Sequence, residues 1–400
     1  MSAASKIPPL RFKGLEGAWE AKRLSAYLKV SGEQNEDNRF GVNDVLSVSG
    51  ESGVVNQIEF QGRSFAGASV SGYHVLHKGQ VTYTKSPLKA NPYGIIKSNK
   101  GKDGIVSSLY GVYDCVAGTC ADFVQCYFDK SSRLNNYLRP LVCKGAKNTL
   151  LISDEEALQG TVVFPANAEQ EQIAQCCRSL DALIADRELA MEKLQSLKKA
   201  MLEKMFPRAG AKVPEVRFKG CEGEWERKPL DEIAKKRNES ALSGGVPKLE
   251  YEDIVSFEGV LKRSLDHLYI EKRGISFYVG DVLFGKLRPY LGNWFHATFD
   301  GVAVGDWWVL KPVSVVSEYL YVLIQSDAFQ VAANQSAGSK MPRADWNLVS
   351  ETLYPISPTV EEQRKIGAYF RSLDALISAR QEEVGKLKNL KKALLDRMFV

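Results

Sequence analysis

Gly285-Lys286-Leu287-Arg288-Pro289-Tyr290 puts a lysine, an arginine and a tyrosine on a stretch whose backbone is constrained by glycine and proline. Such a loop suits phosphate and base-edge contacts, because a guanidinium donates in a planar fork that matches guanine, while lysine supplies a point charge. A second basic cluster lies at 336–343, where Ser339, Lys340 and Arg343 stand among small residues. In the first half of the chain Lys85, Lys89, Lys97, Lys100 and Lys102 crowd a stretch interrupted by Pro87, Tyr93 and Gly101. Cations that close together repel one another unless a polyanion neutralises them, although each lysine taken singly is as well explained as a solvated surface charge. The candidate DNA-binding residues are therefore these lysines with Lys286, Arg288, Tyr290, Ser339, Lys340 and Arg343.

Chemistry beyond binding needs a constellation, and the sequence offers none. It has no glycine-rich phosphate loop followed by Lys-Ser/Thr, and no dinucleotide fingerprint between a strand and a helix. Asn91-Pro92-Tyr93 matches only part of the Asn-Pro-Pro-Tyr with which amino-methyltransferases hold a flipped base, and it reads as a turn. His74 and His77 could share a helix face but lack a third ligand. The 7 cysteines are odd in number and scattered, with no spacing that clasps zinc, so free thiols in a reducing compartment are expected. No catalytic residue, metal or cofactor is expected in the chain itself.

The elements that position these residues follow from a repeat. Leu10-Arg11-Phe12-Lys13-Gly14, Glu16-Gly17 and Trp19-Glu20 open the first half, and Val216-Arg217-Phe218-Lys219-Gly220, Glu222-Gly223 and Trp225-Glu226 open the second. Closing segments repeat as well: 169–206 parallels 362–399, with Arg178-Ser179-Leu180-Asp181-Ala182-Leu183-Ile184 matching Arg371-Ser372-Leu373-Asp374-Ala375-Leu376-Ile377. Between them, 20–164 and 226–357 share little. The frame repeats while the contents diverge, as expected of two modules of one ancestry facing different targets.

In the closing segments apolar residues step by four and three through Ile173, Cys177, Leu180, Ile184, Met191, Leu194, Met201 and Met205, and through Ile366, Phe370, Leu373, Ile377, Val384, Leu387, Leu394 and Met398. Sustained 4-3 spacing is the seam of a coiled coil. Each segment predicts a helical rod on the order of 55–60 Å long, bounded upstream by Pro165 or Pro358 and, for the first, stopped by Pro207. One apolar seam cannot bury itself, so the rods are expected to pair, antiparallel if the halves are related by a pseudo-two-fold axis. That arrangement places a recognition domain at each end of the pair. Ile173, Leu180, Ile184, Leu194, Ile366, Leu373, Ile377 and Leu387 are the expected helix-pairing residues. Arg187, Arg380, Lys198 and Lys391 fall on or near the seam, either snorkelling at its edge, the simpler reading, or pairing with acids such as Glu188 or Glu382.

With 400 residues, 44% of them hydrophobic, the chain can hold two cores. The expected layout is mixed α/β (α+β): a first recognition domain at 1–165, a spacer helix at 166–207, a second recognition domain at 208–358 and a second spacer helix at 359–400. Short strands are expected at 162–164, 279–284 and 352–354. The net charge of +5 resides mainly in the first half, so any nucleic-acid contact must come from local patches. No apolar run reaches membrane-span length and no signal stretch opens the chain, which implies a cytoplasmic protein without a membrane partner.

Together these motifs resemble the specificity subunits of type I restriction-modification systems. The likeness rests on the Arg-Phe-Lys-Gly…Trp openings, on Gly280-Asp281-Val282-Leu283-Phe284…Lys286-Leu287-Arg288-Pro289-Tyr290, and on Gly338-Ser339-Lys340-Met341-Pro342-Arg343-Ala344-Asp345-Trp346. It includes the proline, Glu-Gln and Ser-Leu-Asp pattern at 165–181 and again, slightly altered, at 358–374. In the first block Gly79-Gln80-Val81-Thr82-Tyr83-Thr84-Lys85-Ser86-Pro87 is only a loose counterpart of the Lys-Leu-Arg-Pro stretch. The resemblance implies a non-catalytic subunit whose two target-recognition domains each read half of a split site in double-stranded DNA. Its helices would set the spacer and dock two DNA methyltransferase subunits, with restriction translocase-nuclease subunits completing the enzyme. S-adenosylmethionine, ATP and magnesium would serve those partners. The alternative from another class is a coiled-coil scaffold that spaces two protein-binding domains.

Overall fold

The computed structural model describes residues 7–67, 69–116, 118–145, 149–262, 271–335 and 341–400. Two helices of 38 residues, the first rod (Asn167–Lys204) and the second rod (Val360–Arg397), stand where the 4-3 spacing predicts them. The chain divides into two compact units, unit 1 comprising 1–186 with 384–400 and unit 2 comprising 187–383. This division falls inside the rods, because each rod end packs into the fold beside it.

In unit 1, strand β1 (Glu20–Arg23) pairs antiparallel with β6 (Thr161–Phe164). Between them in sequence, Leu28–Val30 (β2), Val81–Thr84 (β3), Ile95–Ser98 (β4) and Tyr110–Cys115 (β5) form an antiparallel sheet in the order β2-β5-β3-β4. Unit 2 repeats the plan. Strand β7 (Glu226–Pro229) pairs with β12 (Leu353–Ile356), and β8 (Ala234–Lys236), β11 (Trp307–Pro312), β9 (Val282–Gly285) and β10 (Trp294–His296) form the second sheet in that order. The strand expected at 279–284 begins only at Val282, since Gly280 at φ +87° makes the turn that precedes it. Gly79, at φ +88°, makes the same turn ahead of β3.

Around these shared sheets the additions differ. Among the described residues unit 1 adds three separate strand pairs, Leu46–Ser49 with Gly53–Asn56, His74–Leu76 with Gly104–Val106, and Cys143–Lys144 with Leu150–Leu151. Unit 2 adds a four-stranded sheet of Ser240–Leu242, Arg273–Phe277, Gly301–Ala303 and Lys248–Leu249.

Within unit 1, Met398 and Phe399 from the end of the second rod share a core with Ile173, Ala174 and Cys177 from the start of the first. Within unit 2, Met205 and Phe206 share one with Ile366, Phe370 and Leu373. The rods run antiparallel, since Arg187 Nε meets Glu383 Oε1 at 2.8 Å and Lys198 Nζ meets Asp374 Oδ1 at 2.7 Å. Of the expected pairing residues, Ile173, Ile184, Ile366, Leu373 and Ile377 are buried, while Leu180, Leu194 and Leu387 are half-buried.

The cations at the seam do not snorkel. Lys391 Nζ lies 2.6 Å from Asp181 Oδ1, and Arg380 pairs with Glu383 at 2.6 Å. The desolvated seam makes an unpaired cation costly; an acid on the facing helix meets Arg187, Lys198 and Lys391, while Arg380 is met by Glu383 one turn along its own helix. Burial pushes the Asp374 carboxyl up even with Lys198 beside it.

The opening motifs clasp the rods. Arg11 forks onto Glu169 at 2.8 and 2.6 Å and donates to the carbonyls of Gly17 and Glu16. Arg217 makes the same fork onto Glu362 at 2.7 and 2.9 Å, with the carbonyls of Gly223 and Glu222. Trp19 packs edge-on to Phe399 at 6.0 Å, and Trp225 edge-on to Phe206 at 5.7 Å. No described helix is long and apolar enough to cross a membrane.

Candidate nucleic-acid interface

Strand β9 delivers the basic stretch of unit 2 straight off its C-terminal end. Lys286 N–H donates to Asp306 O at 2.9 Å and Arg288 N–H to Pro342 O at 2.7 Å, while Ala344 N–H returns to Lys286 O at 2.8 Å. Leu287 and Arg343 thus form an antiparallel bridge. Arg343, the described basic residue of the second cluster, thus becomes a neighbour in space of the 286–290 stretch. Ser339 and Lys340 lie outside the described residues.

Arg288 occupies the left-handed region at φ +49°, which a side chain with a β-carbon rarely adopts without a reason. Its Nε is buried and has no hydrogen-bond partner among the described residues. Asp306 answers two of the neighbouring cations, taking Arg343 Nη2 at 3.1 Å and Lys286 Nζ at 3.6 Å. The Tyr251 hydroxyl donates to Asp306 O and accepts from Leu287 N–H at 3.3 Å, fixing the loop from below. Tyr290 is exposed at the loop's crest.

Sequence reasoning missed Lys236, Asp306 and Tyr251. Lys236 ends β8 with Nζ 4.4 Å from the Trp346 ring centroid, and burial, together with Lys286 nearby, lowers its pKa. The run Lys235-Lys236-Arg237 was the available signal. Arg237 instead forks onto the buried Asp281 at 2.6 and 3.2 Å and steadies the turn before β9. The result is a surface where Lys236, Lys286, Arg288 and Arg343 gather with partial internal neutralisation, an arrangement that attracts an anion.

Unit 1 departs from the expected patch. Lys97 is buried with Nζ 2.6 Å from Asp129, Lys85 pairs with Asp154 at 2.9 Å, and Lys100 lies 3.8 Å from Asp181. Carboxylates of the chain itself neutralise Lys97 and Lys85, while Lys100 shares Asp181 with Lys391, so the crowding is answered in part from within. Lys97 in particular faces the interior and is withdrawn from the set. Lys89 and Lys102 are exposed.

The loose sequence counterpart does have a structural basis. Lys85 leaves β3 as Lys286 leaves β9, and its N–H donates to Leu109 O at 3.3 Å just ahead of β5, as that of Lys286 does to Asp306 O just ahead of β11. The two loops share a place in the frame and an acid-paired lysine where each leaves its strand, and beyond that lysine their side chains differ. His77 shares no helix face with His74, which opens the strand His74–Leu76; it is held by Asp103 at Nδ1 (2.7 Å) and Glu33 at Nε2 (2.9 Å), and these carboxylates, Asp103 foremost, raise its pKa.

Two mixed α+β units on a duplicated frame, with two long antiparallel helices, have the fold of the specificity subunits of type I restriction-modification systems. The chain is similar to the crystal structure of a type I S subunit from M. genitalium, 15% identical, covering 98% of this chain and 99% of that one with a TM-score of 0.63. It is also similar to a chain solved in work on complex assembly and conformational transition of the type I R-M system, 16% identical, covering 95% and 97% with a TM-score of 0.51. By sequence it is 24% identical over 127 residues to the specificity subunit of the type I restriction enzyme EcoDI from Escherichia coli, a match spanning 31% of this chain and 28% of that protein. No family model matches the chain.

Proposed function

We propose that the chain is the DNA-reading specificity subunit of a type I restriction-modification enzyme. Unit 2 would read one half of a bipartite double-stranded site through the loops around Arg288 and Arg343, and unit 1 would read the other half through the loops that include Lys89 and Lys102. The rods would set the spacer and dock two methyltransferase subunits. Those partners would bring S-adenosylmethionine, and translocase-nuclease subunits would bring ATP and magnesium chemistry, so the chain itself catalyses nothing.

The observation that carries this reading is a duplicated frame around unlike contents: the same clasp, sheet order and rod contacts recur, while the surface loops share almost no side chains. Selection for one common partner on the frame and two different targets on the loops produces that pattern. A scaffold for two protein-binding domains fits the frame equally well but leaves the cations around Arg288 without a purpose.

Mapping methylated adenines genome-wide, with and without this gene, tests the reading. The expected outcome is loss of methylation at one bipartite sequence. Unchanged methylation, or binding of random duplex as tightly as of any candidate site, would favour the scaffold.

A further inference from the structure

Phe257 holds its backbone at φ +66°, a left-handed conformation that strains any residue with a bulky side chain. Its N–H donates to Gly292 O at 2.7 Å, and the next carbonyl, of Glu258, accepts from the Tyr321 hydroxyl at 3.3 Å. Those bonds fix the conformation. A ring buried in a core would offset the strain through packing, but Phe257 is 59% exposed.

The covered side of the ring rests on Gly292, where a β-carbon would come within 2.5 Å of it, and meets the Trp294 ring edge-on at 5.8 Å. A rigid floor thus presents one aromatic face to the outside. Gly292 also closes the 286–292 loop, which begins at Lys286 and carries Arg288, the other non-glycine residue of this unit in the left-handed region among those described. Tyr290 and Leu291 on that loop are exposed too. Lys286 and Arg343 stand over Asp306, with Lys236 beside them, whereas the Glu258 carboxylate is turned to Gln381 at 2.6 Å. Flat apolar faces next to concentrated cations match a ligand with aromatic planes strung on an anionic backbone.

We propose that Phe257 is a stacking residue for DNA, its ring lying on a base or wedging at a base step of the half-site gripped by the 286–292 loop. This rests on the DNA-reading assignment above and adds a contact of a different kind. The ring meets the π-face of a base, so it tolerates different bases and strengthens binding without choosing sequence.

The test uses the full chain assembled with its methyltransferase subunits and a duplex carrying the mapped site, with 2-aminopurine placed in turn at each adenine of the unit 2 half-site. Phe257→Gly removes the ring at a position where glycine holds the backbone without strain. The thermal midpoint of Phe257→Gly should equal or exceed that of the unsubstituted chain, its affinity should fall about five- to hundredfold, and its salt dependence should not change. One 2-aminopurine position should lose its fluorescence response, and Phe257→Trp should restore it. Unchanged affinity and fluorescence would overturn the proposal. Failure of Phe257→Gly to assemble with the methyltransferase subunits, with DNA contact intact in the complexes that do form, would overturn it in favour of protein docking. If the unsubstituted complex does not prefer the mapped site to random duplex, the DNA-reading assignment itself falls, and this inference with it.

Discussion

Lys198 of the first rod and Asp374 of the second meet at 2.7 Å with side chains only 10% and 17% exposed. Their repeat equivalents, Lys391 and Asp181, meet at 2.6 Å, but with 24% and 34% exposure. The same pair therefore occupies a drier site in unit 2 than in unit 1.

Lys198→Met should destabilise the chain by about 3 kcal/mol, because it strands a buried carboxylate, and Asp374→Leu on top of it should recover most of that loss. Lys391→Met should cost less, since Asp181 keeps more water. Urea unfolding of the three variants measures this, and equal losses for the two lysine changes would contradict the difference in burial.

Lys89→Ala and Lys102→Ala should each flatten the slope of log affinity for duplex against log salt by about one, across all sequences, if each lysine meets a phosphate. Lys97→Met should leave that slope alone and lower the unfolding midpoint, because it breaks the buried pair with Asp129. A slope change for Lys97→Met would return that residue to the interface.

Arg343→Ala should alter base preference in one half-site and leave the other untouched, at about 1–3 kcal/mol for a lost base contact. Methylation patterns on half-site variants report this. Uniform weakening across sequences would assign the guanidinium to a phosphate.

Deleting 188–194 together with 381–387 removes a heptad from each rod, about 10 Å of helix, or roughly three base pairs of duplex. The spacer in the methylated site should shorten accordingly. An unchanged spacer would refute the role of the rods as a ruler.

His77, clamped by Asp103 and Glu33, has its pKa raised above the ordinary imidazole value near 6.5. Its contribution to stability is complete below that value and is lost as pH rises through the higher folded-state pKa. Unit 1 should therefore lose stability as pH rises above about 6.5, and His77→Gln should flatten that dependence. An NMR titration of the His77 ring that gives an ordinary pKa would contradict it.

The rods were legible because one period, sustained over many turns, leaves few alternatives, and the frame because it is written twice. The partners of Lys198 and Lys391 were not, since they depend on the register between two helices that no local pattern encodes. Lys97 misled for a related reason: its neutralising Asp129 lies on another element, and composition does not reveal which lysines of a cluster turn inward. Phe257 carried no signal at all, because nothing in its neighbours' types announces a left-handed backbone.

Trp19 and Phe399 belong to one core, as do Trp225 and Phe206, and this imposes an order of events as the chain is made. Unit 2 is a single continuous stretch, 187–383, and can close once that stretch has emerged from the ribosome. Unit 1, although begun first, waits with an apolar cleft open until 384–400 arrive to fill it. The half translated first is therefore completed last, and during that wait it is the part of the newborn polypeptide most exposed to aggregation and most in need of a chaperone.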